Sequence, residues 1–122
     1  MSIARTVGGP IPGTGFALRR VVVAADLDAL RGPLTGQRQL PLHLDASARA
    51  VFDFSVAADR EQAYQLVLLE AGTVTDLEQW LDGRELLRLW PDLYLPRVVR
   101  AAWQDRHAAL ARVGAGPHVP QL

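Results

Sequence analysis

The chain has no cysteine and no lysine, and only one methionine among its 122 residues. Without cysteine there is no disulfide, no thiol nucleophile and no Cys-ligated zinc or iron–sulfur cluster. All thirteen cations are Arg, they are balanced by thirteen acids, and the net charge is zero. A neutral total does not supply the basic footprint that non-specific nucleic-acid binding needs. No apolar run approaches the roughly 18 residues of a membrane span, and the first residues lack the charged start and apolar block of a secretory signal. The expectation is a cytoplasmic protein that does not enter a membrane.

Catalytic constellations are missing as well. His43 lies on an expected strand, His107 on an expected helix and His118 near the C-terminus. They do not have the i, i+4 spacing of a helical metal pair, and there is no His-Glu-x-x-His pattern. Ser2, Ser47 and Ser55 lack the context of a nucleophile elbow. Gly13-Thr14-Gly15 is not followed by the Gly-Lys-Ser/Thr ending of a phosphate loop. Carboxylates are plentiful, but acid–base chemistry needs two that converge in a pocket, and an isolated surface acid is the ordinary reading. The sequence therefore predicts no catalytic residue, no metal ligand and no cofactor.

What the chain does contain is enough apolar sequence, 49%, for one core. Its length leaves no room for a second domain. Charge is uneven: residues 1–44 hold five Arg against two Asp, 45–95 four Arg against ten acids, and 96–122 four Arg against one Asp. An acidic middle could face a basic partner, although a solvated surface explains it equally simply. Residues 1–18, rich in Gly and Pro, read as a flexible tail or as a strap anchored by Ile11 and Phe16. Residues 19–113 read as the globular domain, and 114–122 as a second flexible tail.

Within that domain Arg20 to Ala24 is β-prone, and Asp26 can cap a short helix from Leu27 to Arg31 that Gly32-Pro33 ends. Leu40, Leu42 and Leu44 alternate as on one face of a strand. With Val51–Phe54 they predict a hairpin whose loop is Asp45–Ala48, Pro41 marking an edge. Asp59 and Gln62 have capping-box spacing. They open a central helix, Asp59 to Ala71, with Tyr64, Val67, Leu68 and Ala71 on its apolar stripe. Thr75 and Glu78 suggest a second box. The helix they open carries Leu77, Trp80 and Leu81; either Gly83 ends it and Arg84 to Trp90 forms another short helix, or a single bent helix runs from Asp76 to Trp90. A last helix is expected from Pro96 to about Arg112, with Val99, Ala102, Trp103, Leu110 and Val113 buried. The fold class is α+β, a small single domain with a β-hairpin and four or five helices.

The densest stretch is Leu86 to Pro96, where Pro91 and Pro96 bias Trp90 and Leu95 away from the α region. It reads as a helix end, a stiff extended link and a new helix. Trp80, Trp90, Tyr94 and Trp103 at this spacing are first of all core candidates. Trp90 or Tyr94 on a stiff link is also a candidate interface anchor, since Trp, Tyr and Arg concentrate binding energy. Asp92 shares that link. Arg97, Arg100, Gln104 and His107 line another face of the last helix, a partner surface or merely a solvated side. An α-turn-α arrangement around Gly72-Thr73-Val74 resembles a helix-turn-helix. Its second helix would turn Asp76, Glu78 and Asp82 toward phosphates, which repel them.

Leu30-Arg31-Gly32-Pro33, Leu40-Pro41-Leu42, Tyr64-Gln65-Leu66-Val67-Leu68, and Leu89 to Pro96 followed by Val99-Arg100 and Trp103 form a recognisable pattern. It resembles a group of short uncharacterised bacterial proteins over roughly residues 27–110. These are similar to the small partners of nucleotidyltransferase-like toxins, and some are labelled regulators. The resemblance implies an antitoxin or accessory subunit that covers a partner protein, and it carries over no catalytic residue. The chain departs from other antitoxin patterns in lacking a winged helix or a basic DNA-binding arm. The expected function is a non-catalytic protein-binding module using Trp90, Asp92, Tyr94, Arg97, Arg100, Gln104 and His107. The alternative is a small DNA-binding regulator using the basic face of the last helix.

Overall fold

Tyr64, Val67 and Leu68 recur at helical spacing, and the helix that carries them, α1 (Ala57–Glu70), turns all three into the core together with Ala63. The computed structural model describes residues 21–46 and 50–114. The expected tails, 1–18 and 115–122, and Ser47-Ala48 of the expected loop lie outside these residues, while Gly114, expected to begin the second tail, is helical and buried. Ala57 and Ala58, strong helix formers, start α1 ahead of the expected Asp59. The Asp59–Gln62 capping pair does not form, and the helix opens at Val56 without a side-chain cap. Asp59 lies in the first turn, favourable to the helix dipole, and its Oδ2 accepts the Asp53 amide at 2.8 Å.

The second cap forms two residues earlier than the spacing suggests. Thr73 Oγ1 accepts the Asp76 amide at 3.2 Å and Asp76 Oδ2 accepts the Gly72 amide at 3.0 Å, opening α2 (Val74–Trp80). The chain then breaks at Leu81-Asp82, and Asp82 caps α3 (Gly83–Leu89) by accepting the Glu85 amide at 3.0 Å. Two helices, not one bent helix, fill this stretch, and Gly83 begins the second of them. At the break the Asp82 amide donates to the buried Tyr64 hydroxyl at 3.0 Å. Burial pushes the Tyr64 phenol up to about 12, against the opposing effect of that amide bond, so it stays neutral.

Gly83 is required by a close approach. Asp26 caps a 3₁₀ turn, Leu27–Ala29, shorter than the expected helix. The following residues lie along the α2–α3 junction: Gly32 N donates to Leu81 O at 2.7 Å and Gly83 N to Leu30 O at 3.0 Å. A Cβ on Gly32 would sit 2.4 Å from the Trp80 carbonyl carbon, and one on Gly83 would sit 2.2 Å from Leu27 O. The Gly of Leu-Arg-Gly-Pro is thus a packing requirement.

The hairpin forms with its first strand displaced. β1 (Gln37–Arg38) pairs antiparallel with β2 (Phe52–Asp53), Gln37 opposite Asp53 and Arg38 opposite Phe52. Leu40 and Leu44 are buried but Leu42 is 68% exposed, so these leucines do not share a strand face. Pro41 O accepts the Leu44 and Asp45 amides at 2.9 and 3.0 Å, closing a turn that spaces Leu40 and Leu44 like helix neighbours. The run Val21–Ala24 pairs with no strand among the described residues.

The last expected helix is two: α4 (Arg97–Arg106) and α5 (Ala108–Gly114). The break is His107, extended at φ −127°, ψ 100°. Its ring is buried 5.7 Å from that of Trp103, with Nε2 2.7 Å from Ala24 O. A carbonyl can only accept, so Nε2 carries the proton. Holding that bond turns the backbone and returns Leu110 to the core, while Val99 and Trp103 anchor α4. The result is an α+β domain, with a two-stranded hairpin and five α-helices among the described residues, around one cluster of buried side chains.

Candidate functional site

Pro91 does not keep Trp90 out of the α region. Trp90 is helical (φ −49°, ψ −45°) and starts a 3₁₀ turn, Trp90–Asp92, directly after α3. Packing overrides the local bias, because the indole is fully buried and its Nε1 donates to Gln104 Oε1 at 3.0 Å. The chain then extends from Leu93 (φ −74°, ψ 136°) to Pro96 (φ −59°, ψ 149°), which caps α4 from outside the helix.

Two side chains fix this link. Arg100 Nη1 donates to Trp90 O at 3.2 Å, which also takes the Leu93 amide, and Nη2 donates to Leu93 O at 2.5 Å, past the helix end. Its Cζ stands 4.9 Å from the centre of the Trp90 ring, a cation–π contact, and burial holds its pKa below the usual guanidinium value. From α1, Gln65 Oε1 accepts the Tyr94 amide at 2.7 Å. An extended chain alternates sides, so with Leu93 buried the Tyr94 ring points out and is 87% exposed. Beside it runs an open groove of about 340 Å³, lined by Phe52, Gln62, Gln65, Leu66, Leu69 and Tyr94. Apolar carbon forms much of its wall, and among the described residues its lining carries no charged side chain.

The expected site residues therefore divide. Asp92, Tyr94 and Arg97 are exposed along the link and the start of α4. Trp90 is core. Arg100, Gln104 and His107 spend their polar atoms inward, on Trp90 O and Leu93 O, the Trp90 indole and Ala24 O respectively. They do not form an outward basic face with Arg97, because each serves a buried partner. The groove was not read from the sequence. The signal was present in Leu66 and Leu69, which widen the α1 stripe beyond what the core covers.

A second polar cluster staples the α1–α2 corner. His43 Nε2 lies 2.9 Å from Asp76 Oδ1. Burial pushes the Asp76 carboxyl up, but the His43 hydrogen bond and the Gly72 and Thr73 amides outweigh it, and its pKa is lowered. Glu85 is held low chiefly by Arg88, with burial opposing and Arg60 assisting; Arg88 Nη2 is 2.6 Å and Arg60 Nε 2.9 Å from its Oε2. Among the described residues no three His, Asp or Glu side chains are grouped as metal ligands, and no helix is long and apolar enough to cross a membrane. No family model, curated protein or solved structure matches the chain.

The Asp76 arrangement gives a signed pH dependence. A carboxylate whose folded pKa is depressed adds stability above its unfolded pKa and loses it as pH falls through the folded value. Asp76→Asn should cost about 1–2 kcal/mol at pH 7, as lost caps do. The gap to the wild type should close as pH falls below the ordinary carboxylate range, read by denaturant titration at several pH values. A gap independent of pH would show that the Asp76 charge does not matter.

Proposed function

We propose that this chain is a non-catalytic protein-binding module whose contact surface is centred on Tyr94 and the groove beside it. The observation that carries the reading is a large aromatic ring, 87% exposed, on a backbone tied down by Gln65 on one side and Arg100 on the other. A ring held this way loses little freedom on docking, and pre-ordered aromatic anchors concentrate binding energy. Exposed Val98 (46%), four residues on, continues the apolar surface into α4. A role as an antitoxin or accessory subunit that covers a nucleotidyltransferase-like toxin rests on the sequence resemblance alone and is the more specific form of the same proposal. The DNA-binding alternative loses its proposed surface, since Arg100, Gln104 and His107 are committed inward. The seven-residue α2, with Asp76 buried, is a poor recognition helix.

The test compares wild-type and Tyr94→Ala baits in native lysate of the source organism. The ring makes little core contact, so the melting temperature should not change. A stoichiometric partner should bind the wild type at least about 30-fold more tightly, the effect of truncating an interface anchor worth about 2 kcal/mol. Equal binding by both baits would move the interface elsewhere.

A further inference from the structure

The groove beside Tyr94 has an uncharged lining but acidic surroundings. Gln62, Gln65, Leu66 and Leu69 line it from one stripe of α1, and residues three or four apart on a helix are neighbours. Asp59, three residues before Gln62, therefore stands at the end of that stripe, where its carboxylate accepts the Asp53 amide at 2.8 Å. Glu61, four residues before Gln65, flanks the stripe on the side where Gln65 holds the link. Asp92 lies on that link, exposed, two residues before Tyr94. Glu61 and Asp92 both add to the field at the Arg88 guanidinium, which is raised above its usual value first by Glu85, so the two acids share one side of the molecule.

The cations around them do not balance these charges. Arg60 and Arg88 are both held by Glu85, at 2.9 and 2.6 Å. Arg38, opposite Phe52 in the hairpin, turns back to donate to Thr35 O at 3.1 Å. Arg97, three residues past Tyr94, opposes one of the three acids. Among the described residues neither Glu61 nor Asp92 makes an ion pair. We infer that the Tyr94 groove takes a basic segment of a partner protein. One large apolar side chain of that segment sits against Leu66 and Leu69, and Arg or Lys beside it reaches Glu61 and Asp92 on one flank and Asp59 on the other. The inference rests on the partner reading above and gives that partner its chemistry. An acidic peptide or a nucleic-acid backbone would bring like charge to three carboxylates. A second copy in a two-fold contact would set the patch against itself, acids facing acids.

The probe is a phage-displayed library of random peptides, panned on the full chain, on Tyr94→Ala and on the charge-reversed Glu61→Arg, Asp92→Arg double variant, each checked for an unchanged melting temperature. The wild type should enrich peptides with Arg or Lys beside Trp, Phe or Leu, and Tyr94→Ala should not retain them. The charge-reversed variant should enrich acidic peptides instead. For a synthetic peptide selected on the wild type, the milder Glu61→Gln, Asp92→Asn variant should bind about 5-fold more weakly at low salt, as two exposed ion pairs are lost. That difference should shrink as salt is raised. Neutral or acidic peptides that depend on Tyr94, or the same peptides from the wild type and the charge-reversed variant, would overturn the basic partner and leave the Tyr94 surface standing. A dimer that forms with rising concentration and is lost in Tyr94→Ala would overturn it in favour of a second copy. No enrichment that depends on Tyr94 would remove the surface and its partner together.

Discussion

Trp103→Ala is expected to lower unfolding stability by about 3–5 kcal/mol, the range for truncating a buried aromatic. Trp103 is fully buried, 6.4 Å from the Trp90 ring and 5.7 Å from that of His107. Its loss would open a cavity where α4, α5 and the link meet, and the stapled Trp90 and His107 rings are poorly placed to collapse into it. Denaturant titration followed by circular dichroism should show a lower midpoint at an unchanged slope. The two indoles also differ in a way that phenylalanine exposes. Trp103 Nε1 has no partner among the described residues, whereas Trp90 Nε1 donates to Gln104 at 3.0 Å. Trp90→Phe should therefore cost about 1 kcal/mol more than Trp103→Phe, the net worth of one hydrogen bond. Equal costs would deny the Trp90–Gln104 bond its role.

Gly83→Ala is expected to be nearly as damaging, although it adds one methyl group. That methyl would stand 2.2 Å from Leu27 O and 3.0 Å from the Leu27 carbonyl carbon, both backbone atoms. Relief requires parting the Leu27–Gly32 segment from α3, against the Gly83 N to Leu30 O and Gly32 N to Leu81 O bonds at 3.0 and 2.7 Å. A loss of about 3 kcal/mol, the upper end of overpacking costs, is expected from thermal or denaturant unfolding. Gly72→Ala is the control. No atom lies within 4 Å of the added Cβ, so stability should hold or rise by up to about 1 kcal/mol. Matching losses at both glycines would mean that close approach does not explain Gly83.

This pair also marks what could be read from residues alone. Periodicity placed α1 and its buried Tyr64, Val67 and Leu68 correctly, because a stripe of large side chains leaves one face to bury. It named Trp103 as core for the same reason. The cap of α2 lies two residues before the expected one because Thr73 and Thr75 offer the same chemistry and only the position of Asp76 decides between them. The break at His107 left no local signal. It follows from a bond to Ala24, far along the chain, and the inward turn of Arg100 and Gln104 follows from their own bonds to Trp90 and Leu93. A helical wheel can place those polar side chains on one face, but it cannot say that buried acceptors wait beneath them. The extended run into Pro96 that carries Tyr94 was legible because proline biases the residue before it away from the α region. The groove beside it needed β2, α1 and the link brought together.

The central claim is that the Tyr94 surface meets another protein. The most direct measurement replaces Tyr94 by a photoreactive phenylalanine analogue in living cells of the source organism. Arg84, exposed at the start of α3, is replaced the same way as the control position. Irradiation should yield one discrete cross-linked protein from position 94 and none from position 84. No adduct at 94, or the same ladder of products from both positions, would contradict the account.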